Sequence, residues 1–363
     1  MHPAFFFDGA KASAYPSNRQ FRKTRSALRR NHTQRPVAET ASPMDSVLYA
    51  TADNPVPENH VAGFMEGRGG VKIRYAVFRS KEREARGTVV LLQGRSECIE
   101  KYFETIEDLT ARGLWVATFD WRGQAGSDRL VPGNRAGHIA RFADYEADLS
   151  LLLERVVLPD ARLPFFIVAH STGALVALSQ APELENRIER MVLAAPFVAL
   201  GGHSMSQRKI AIIARLASLT GFGTRTFRKG DPLLEFEGNV VTSDRRRFAR
   251  NAAIYAEHPE LSISWPSARW LNEMLGAMAR VTHQDHLTRI RIPTLLLCPT
   301  ADPLVPRKAV DDLARIFRAA RLIEIDGARH ELFQEADRYR AQALAAIEAF
   351  IPGSDAEDTS LGA

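Results

Sequence analysis

From Val61 onward the hydrophobic positions fall into two alternating patterns. Short apolar runs rich in β-branched residues are separated by segments of ten to eighteen residues whose apolar positions recur at three- and four-residue spacing. The first pattern predicts strands and the second helices. The opening pair, Val61 to Glu66 and Val71 to Phe78, flanks Gly67-Arg68-Gly69-Gly70, a turn signal for an antiparallel hairpin. Strand Thr88 to Gln93 follows, then a helix from Glu97 to Ala111 that stops at Gly113, and strand Leu114 to Asp120. A helix from Phe142 to Val157 with Pro159 just beyond it leads to strand Phe165 to Ala169, helix Thr172 to Gln180 and strand Ile188 to Ala194.

Between about Leu200 and Leu287 the alternation stops and helical patterns follow one another. It resumes with strand Thr294 to Cys298, helix Arg307 to Phe317, strand Arg321 to Ile325 and helix Arg338 to Phe350. Strands alternating with helices predict the α/β class, a mostly parallel central sheet flanked by helices. The predicted organisation is a polar basic extension over 1–43, a first part of the core over 44–200, an inserted helical cap over 201–288, a second part of the core over 289–351 and a polar tail over 352–363. Both ends are expected to be disordered.

Charge changes this picture in one place. The net charge is +5. Residues 1–43 carry eight Lys/Arg against Asp8 and Glu39, so the remaining chain sums to −1. The body therefore offers no general electrostatic reason to bind nucleic acid. The extension has an organellar-targeting or anionic-membrane character, and a peripheral membrane contact is one expectation for it. Its apolar cluster, Ala4 to Phe7, is too short for a membrane span or a secretory core. The only cysteines, Cys98 and Cys298, form no CxxC pair, which fits a reducing, cytoplasmic compartment. HExxH, GxGxxG and P-loop strings are absent, so neither a metal nor a cofactor is implied.

The chemistry-bearing string is Ala169-His170-Ser171-Thr172-Gly173, between a buried strand and a helix that begins at once. A tight strand-to-helix turn lifts the Ser171 hydroxyl above the sheet edge and requires small residues two positions either side. Ala169 and Gly173 meet that requirement. A serine hydroxyl needs a base, and the base needs a carboxylate that fixes its tautomer. Among ten histidines, His330 follows the strand Arg321 to Ile325, and Asp302 follows the strand Thr294 to Cys298, so both reach the sheet edge that carries Ser171. His170 points the other way and is expected to brace the turn. Asp285 and Asp326 compete with Asp302 for the acid's place. The oxyanion of an acyl-transfer intermediate would meet two backbone N–H groups: that of Thr172, at a helix N-terminus, and that of Arg95, in the Gly-containing loop after the first parallel strand.

Taken together, the elbow, the order Ser171, Asp302, His330, and the segment Phe119-Asp120-Trp121-Arg122-Gly123-Gln124-Ala125-Gly126-Ser127 resemble the α/β-hydrolase superfamily, nearest its monoacylglycerol lipase and lysophospholipase branch. The resemblance spans roughly Val61 to Phe350. The segment departs from the family's DxRGxGxS form at Ala125, and Gln93-Gly94 stands where His-Gly is frequent. It implies an α/β-hydrolase fold with a cap, and a serine hydrolase that cleaves carboxylic esters of lipids through an acyl-enzyme. Dehalogenases and epoxide hydrolases of this fold place a carboxylate at the elbow, where this chain has Ser171. Small-molecule esterases, serine aminopeptidases, C–C bond hydrolases and perhydrolases share the triad. A non-catalytic binding module is the contrasting class. The oligomeric state is open. The apolar stretches Ile210 to Ile213 and Trp270 to Leu275 are candidates for an acyl tunnel or for packing surface.

Overall fold

A computed structural model describes residues 47–82, 85–228 and 235–351. The extension 1–43 and the tail 352–363 lie outside the described residues, as do the expectations of disorder attached to them. Eight strands form one sheet in the order β1-β2-β4-β3-β5-β6-β7-β8. β1 (His60–Gly67) and β2 (Val71–Phe78) are the expected antiparallel hairpin, and β2 also runs antiparallel to β4 (Leu114–Phe119). β3 (Gly87–Leu92), β4, β5 (Phe165–His170), β6 (Arg190–Ala194), β7 (Thr294–Pro299) and β8 (Ala320–Ile325) are mutually parallel. Their C-terminal ends therefore lie along one edge, and the loops that leave that edge carry the candidate chemistry.

The two faces of the sheet are covered by different helices. α1 (Phe103–Ala111) and α10 (Asp337–Phe350) cover one face, where Phe103, Ile106, Leu109 and Ile347 pack on Val89, Leu91 and Val168. α2 (Phe142–Leu152), α4 (Thr172–Leu184) and α9 (Arg307–Ile316) cover the other, with Leu149, Leu175, Leu178 and Leu313 against Val90, Ile167 and Leu296. The strands buried on both faces read as continuous apolar runs for this reason.

Three element boundaries differ from the sequence reading. The helix expected from Glu97 starts as a 3₁₀ turn at Ile99–Tyr102 before α1, because Glu97 is used in the loop at the sheet edge. The second helix does not stop ahead of Pro159: it passes through a π turn at Leu153–Val157 into α3 (Leu158–Asp160), which holds the proline. α4 continues past Gln180 through Pro182 to Leu184, since Leu178, Ala181 and Leu184 extend the buried stripe of Leu175.

Between β6 and β7 the interval expected to be helical holds α5 (Gln207–Leu219), α6 (Arg245–Glu257), α7 (Ala268–Val281) and α8 (Gln284–Leu287). Each of the first three opens on a side-chain cap: Ser206 accepts from Lys209 N, Asp244 from Arg247 N and Ser267 from Trp270 N. The two candidate tunnel stretches separate. Trp270, Leu271, Met274 and Leu275 are buried against α4 and α5, whereas Ile212 and Ile213 face outward with Leu216, Leu219 and Phe222. Two basic residues of this interval are bound to an acid of the core. Arg247 is buried, with its guanidinium on Glu104 of α1 at 2.6 and 2.9 Å, and Arg250 donates to the same carboxylate at 2.7 Å, so α6 is clamped to the core.

Candidate active site

Ser171 occupies the turn between β5 and α4 with φ +50°, a left-handed conformation that an L-residue adopts only when its surroundings hold it. Its N–H donates to Ala194 O at 3.0 Å, and its carbonyl accepts from Leu175 N and Phe197 N. The tightness of the turn explains Gly173. A Cβ there would lie 2.5 Å from Leu92 O and 2.7 Å from Gln93 O, so α4 can start this close to the end of β3 only with glycine.

Two residues distant in sequence, His330 and Asp302, line up behind the serine hydroxyl. His330 Nε2 is 3.0 Å from Ser171 Oγ, and His330 Nδ1 is 2.6 Å from Asp302 Oδ2. The other carboxylate oxygen of Asp302 accepts from Leu304 N at 2.7 Å and Val305 N at 3.2 Å, which fixes the plane of the group. Burial pulls the imidazole of His330 down, but the charge of Asp302 and its hydrogen bond outweigh it and leave His330 above its ordinary 6.5. Neither competing acid takes part. Asp285 is 91% exposed on α8, and Asp326 Oδ1 accepts from Thr300 Oγ1 at 2.8 Å.

Beside Ser171 the loop Gln93-Gly94-Arg95-Ser96 leaves the end of β3. Neither the Arg95 nor the Thr172 backbone N–H is paired with a protein acceptor among the described residues. The loop is held from several sides. Gln93 Nε2 donates to Phe119 O and Asp120 Oδ1, Trp121 Nε1 donates to Gln93 O at 2.8 Å, and Ser96 N donates to Gln124 Oε1 at 2.9 Å. The segment around Asp120 that resembles a family motif thus acts as a brace for this loop. The glutamine in place of the frequent histidine supplies a side-chain bond to that brace.

Glu97 is the residue that sequence reasoning missed. Its carboxylate accepts from Gly94 N, from Tyr102 Oη at 2.7 Å and from Lys101 Nζ at 3.0 Å, and lies 3.1 Å from His170 Nδ1. Burial raises a carboxyl of this kind, yet the charges of Lys101 and His170 hold it well below the usual carboxylate range. A Cβ at Gly94 would lie 2.8 Å from Glu97 Oε2 and 2.9 Å from His170 Nδ1, so glycine makes room for the hub. A single sequence gives no signal for it beyond an acid four residues after Gln93.

Of the other histidines, His286 Nε2 donates to Leu178 O, His258 lies against Tyr49 and His283 is two-thirds exposed; none is at the serine. Both free cysteines are buried, and no metal-binding cluster of His, Cys, Asp or Glu occurs among the described residues. The assembled groups can activate a hydroxyl for attack on an acyl carbon and can stabilise the oxyanion that results.

Comparison with known proteins shows the family and the fold. The family model described as "Serine aminopeptidase, S33" matches residues 83–337. The probable lysophospholipase L2 of Haemophilus influenzae is 28% identical over 300 residues, 82% of this chain and 94% of the relative. Lysophospholipase L2 of Escherichia coli K12 is 30% identical over 299 residues, 78% of this chain and 85% of the relative. A soluble variant of monoglyceride lipase from Saccharomyces cerevisiae, solved with a substrate analog, superposes with a TM-score of 0.65 at 21% identity, covering 82% of this chain and 96% of that one. The chain belongs to the serine aminopeptidase S33 family, with the α/β-hydrolase fold, and is a carboxylic ester hydrolase.

Proposed function

We propose that Ser171, His330 and Asp302 are the catalytic triad of this hydrolase and that its substrates are lipid esters carrying a single acyl chain, as lysophospholipids and monoacylglycerols do. The observation that carries the assignment is the pair of distances at His330, 3.0 Å to Ser171 Oγ and 2.6 Å to Asp302 Oδ2. His330 takes the Ser171 proton as Oγ attacks the ester carbon, and Asp302 holds Nδ1–H and stabilises the imidazolium. The backbone N–H groups of Thr172 and Arg95 receive the oxyanion. His330 then gives the proton to the departing glycerol oxygen, and water, deprotonated by the same imidazole, releases the fatty acid.

The segment 201–288 serves in this reading as a cap over the site. Ile212, Leu216 and Leu219 of α5 are 52%, 57% and 71% exposed, with Arg208, Lys209 and Arg215 on the same helix. An outward apolar row flanked by cations fits a peripheral contact with an anionic lipid surface. No described helix is long and apolar enough to cross a membrane. Two free, buried cysteines fit a reducing compartment such as the cytoplasm.

The test is hydrolysis of monoacylglycerols, lysophospholipids, short aryl esters and aminoacyl anilides by the full chain, with Ser171→Ala as the blank. Rates that climb with acyl length and vanish in the variant support the lipid reading. Turnover confined to short esters or to aminoacyl anilides contradicts it.

A further inference from the structure

The side chain of Arg95, half-buried, has no part in the chemistry above, and it differs from the buried arginines of the described residues. Arg74 pairs with Glu100 and Asp120, Arg122 with Asp148, Arg247 with Glu104 and Arg340 with Asp108. Arg95 pairs with no carboxylate among the described residues. Its Nη1 donates to Ser96 Oγ at 3.0 Å, its Nη2 donates to the carbonyl of Ser264, and its Nε is buried without a partner. Five N–H donors are thus only partly used. Desolvation brings its pKa down to about 10, which still leaves the group cationic at neutral pH.

The guanidinium is held on the cap side of the oxyanion loop. It lies over the Trp270 ring, 5.3 Å from the centroid, and a Cβ at Gly137 would meet Nη2 at 2.8 Å, so the chain opposite is stripped to glycine to admit it. Trp270 in turn lies 6.2 Å from Phe197, whose N–H donates to Ser171 O. The guanidinium is therefore two ring contacts from the segment whose N–H bonds Ser171 O.

We propose that Arg95 is a specificity-determining residue: its guanidinium receives the anionic phosphate of a lysophospholipid head group while its backbone N–H receives the ester oxyanion. The proposal rests on the lipid-ester reading given above. It is also consistent in reach, because an extended arginine side chain (five bonds from Cα to Cζ) and the unit between ester carbonyl and phosphorus (six bonds) each span roughly 6–7 Å at an advance of ~1.2 Å per bond. A planar fork with spare donors matches a phosphate's oxygens and gives them a charge-to-charge bond that the hydroxyls of an uncharged glycerol cannot make.

The experiment compares kcat/KM for 1-palmitoyl lysophosphatidylcholine and 1-palmitoylglycerol, in the same mixed micelles, for the full-length wild type, Arg95→Met and Arg95→Lys. Substitution retains the backbone N–H, so the readout is the ratio between the two substrates. The expected result is a fall in the lysophospholipid-to-monoacylglycerol ratio of roughly 10- to 100-fold in Arg95→Met, the range for a hydrogen-bonded charge, with part of it restored in Arg95→Lys. A parallel loss on both substrates, or an unchanged ratio, overturns the proposal. A second arm needs no lipid and no variant: glycerophosphocholine should inhibit wild-type hydrolysis of a short aryl ester at concentrations where inorganic phosphate and glycerol do not. Inhibition by inorganic phosphate alone overturns the head-group assignment in favour of a free anion. Wild type that cleaves the monoacylglycerol but not the lysophospholipid overturns this proposal and leaves the lipid-ester reading standing, whereas wild type that cleaves neither overturns both.

Discussion

His170 and His330 are bonded to each other through the main chain: His170 Nε2 donates to the carbonyl oxygen of His330 at 3.1 Å, with the two rings 4.8 Å apart. The residue that precedes Ser171 thereby holds the loop that carries the proposed base, and His170 is itself held by Glu97 beneath the loop 93–96. A histidine that braces the elbow was expected from its place on β5; that it reaches both loops is what the structure adds. Replacing His170 with Phe removes both bonds and keeps the ring volume roughly constant. We expect kcat to fall about 10- to 100-fold with KM changed less, because the loss is in positioning rather than in binding. An equal rise in KM at constant kcat would remove His170 from that role.

The pH profile follows from His330. Its pKa is raised in the folded protein, and the base must be neutral to accept the Ser171 proton. Activity should therefore rise with pH through a limb lying above 6.5. The stability contribution has the opposite sense: it is fully present below the unfolded value and is lost as pH rises through the folded one. Asp302→Asn removes the charge that outweighs burial, so any residual activity should show its limb at lower pH. A limb that stays in place in Asp302→Asn would show that another group sets it.

Arg74 is buried between Glu100 and Asp120, at 2.7 and 2.5 Å. Asp120 also receives Gln93 Nε2, Ile99 N and Gly126 N, so the pair underlies the loop 93–96. Arg74→Met leaves two buried carboxylates without a cation and should destabilise the fold by about 3–5 kcal/mol, measured by chemical denaturation. A loss below about 1 kcal/mol would mean that the site rehydrates.

The clamp of α6 should fail in acid. Burial raises the Glu104 carboxyl, but hydrogen bonds from Arg247 and Arg250 and the charge of Arg340 bring it down to about 2, from 4.5. A depressed carboxyl contributes stability that is present above its unfolded pKa and is lost as pH falls toward the folded one. Amide protection in 245–257, corrected for the intrinsic exchange rate at each pH, should therefore fall between about pH 4.5 and about 2, ahead of protection in β5. Synchronous exchange in both would show that α6 opens only with the whole domain.

Much of this was legible in the sequence, and the limits have physical causes. Strand–helix alternation marked all eight strands because those buried on both faces read as unbroken apolar runs. Ser171, His330 and Asp302 were legible because a parallel sheet puts its C-terminal loops on one edge, so order along the chain becomes proximity. Glu97, Gln124 and the Arg95 side chain were not, because their bonds run between loops whose conformations no periodicity encodes. The same holds for Arg247: a basic residue on a polar helix looks solvated until its distant partner on α1 is known. α4 ran past its expected end because the apolar stripe continuing to Leu184 outweighed the breaker at Pro182.

The proposed chemistry passes through an acyl-enzyme on Ser171, and covalent trapping reports on that step. Wild-type protein treated with a fluorophosphonate bearing a long alkyl chain should gain one adduct by intact mass, located to the peptide containing Ser171. His330→Ala should label far more slowly and Ser171→Ala not at all. An adduct on another residue, or a wild type that hydrolyses esters while resisting the reagent, would contradict the account.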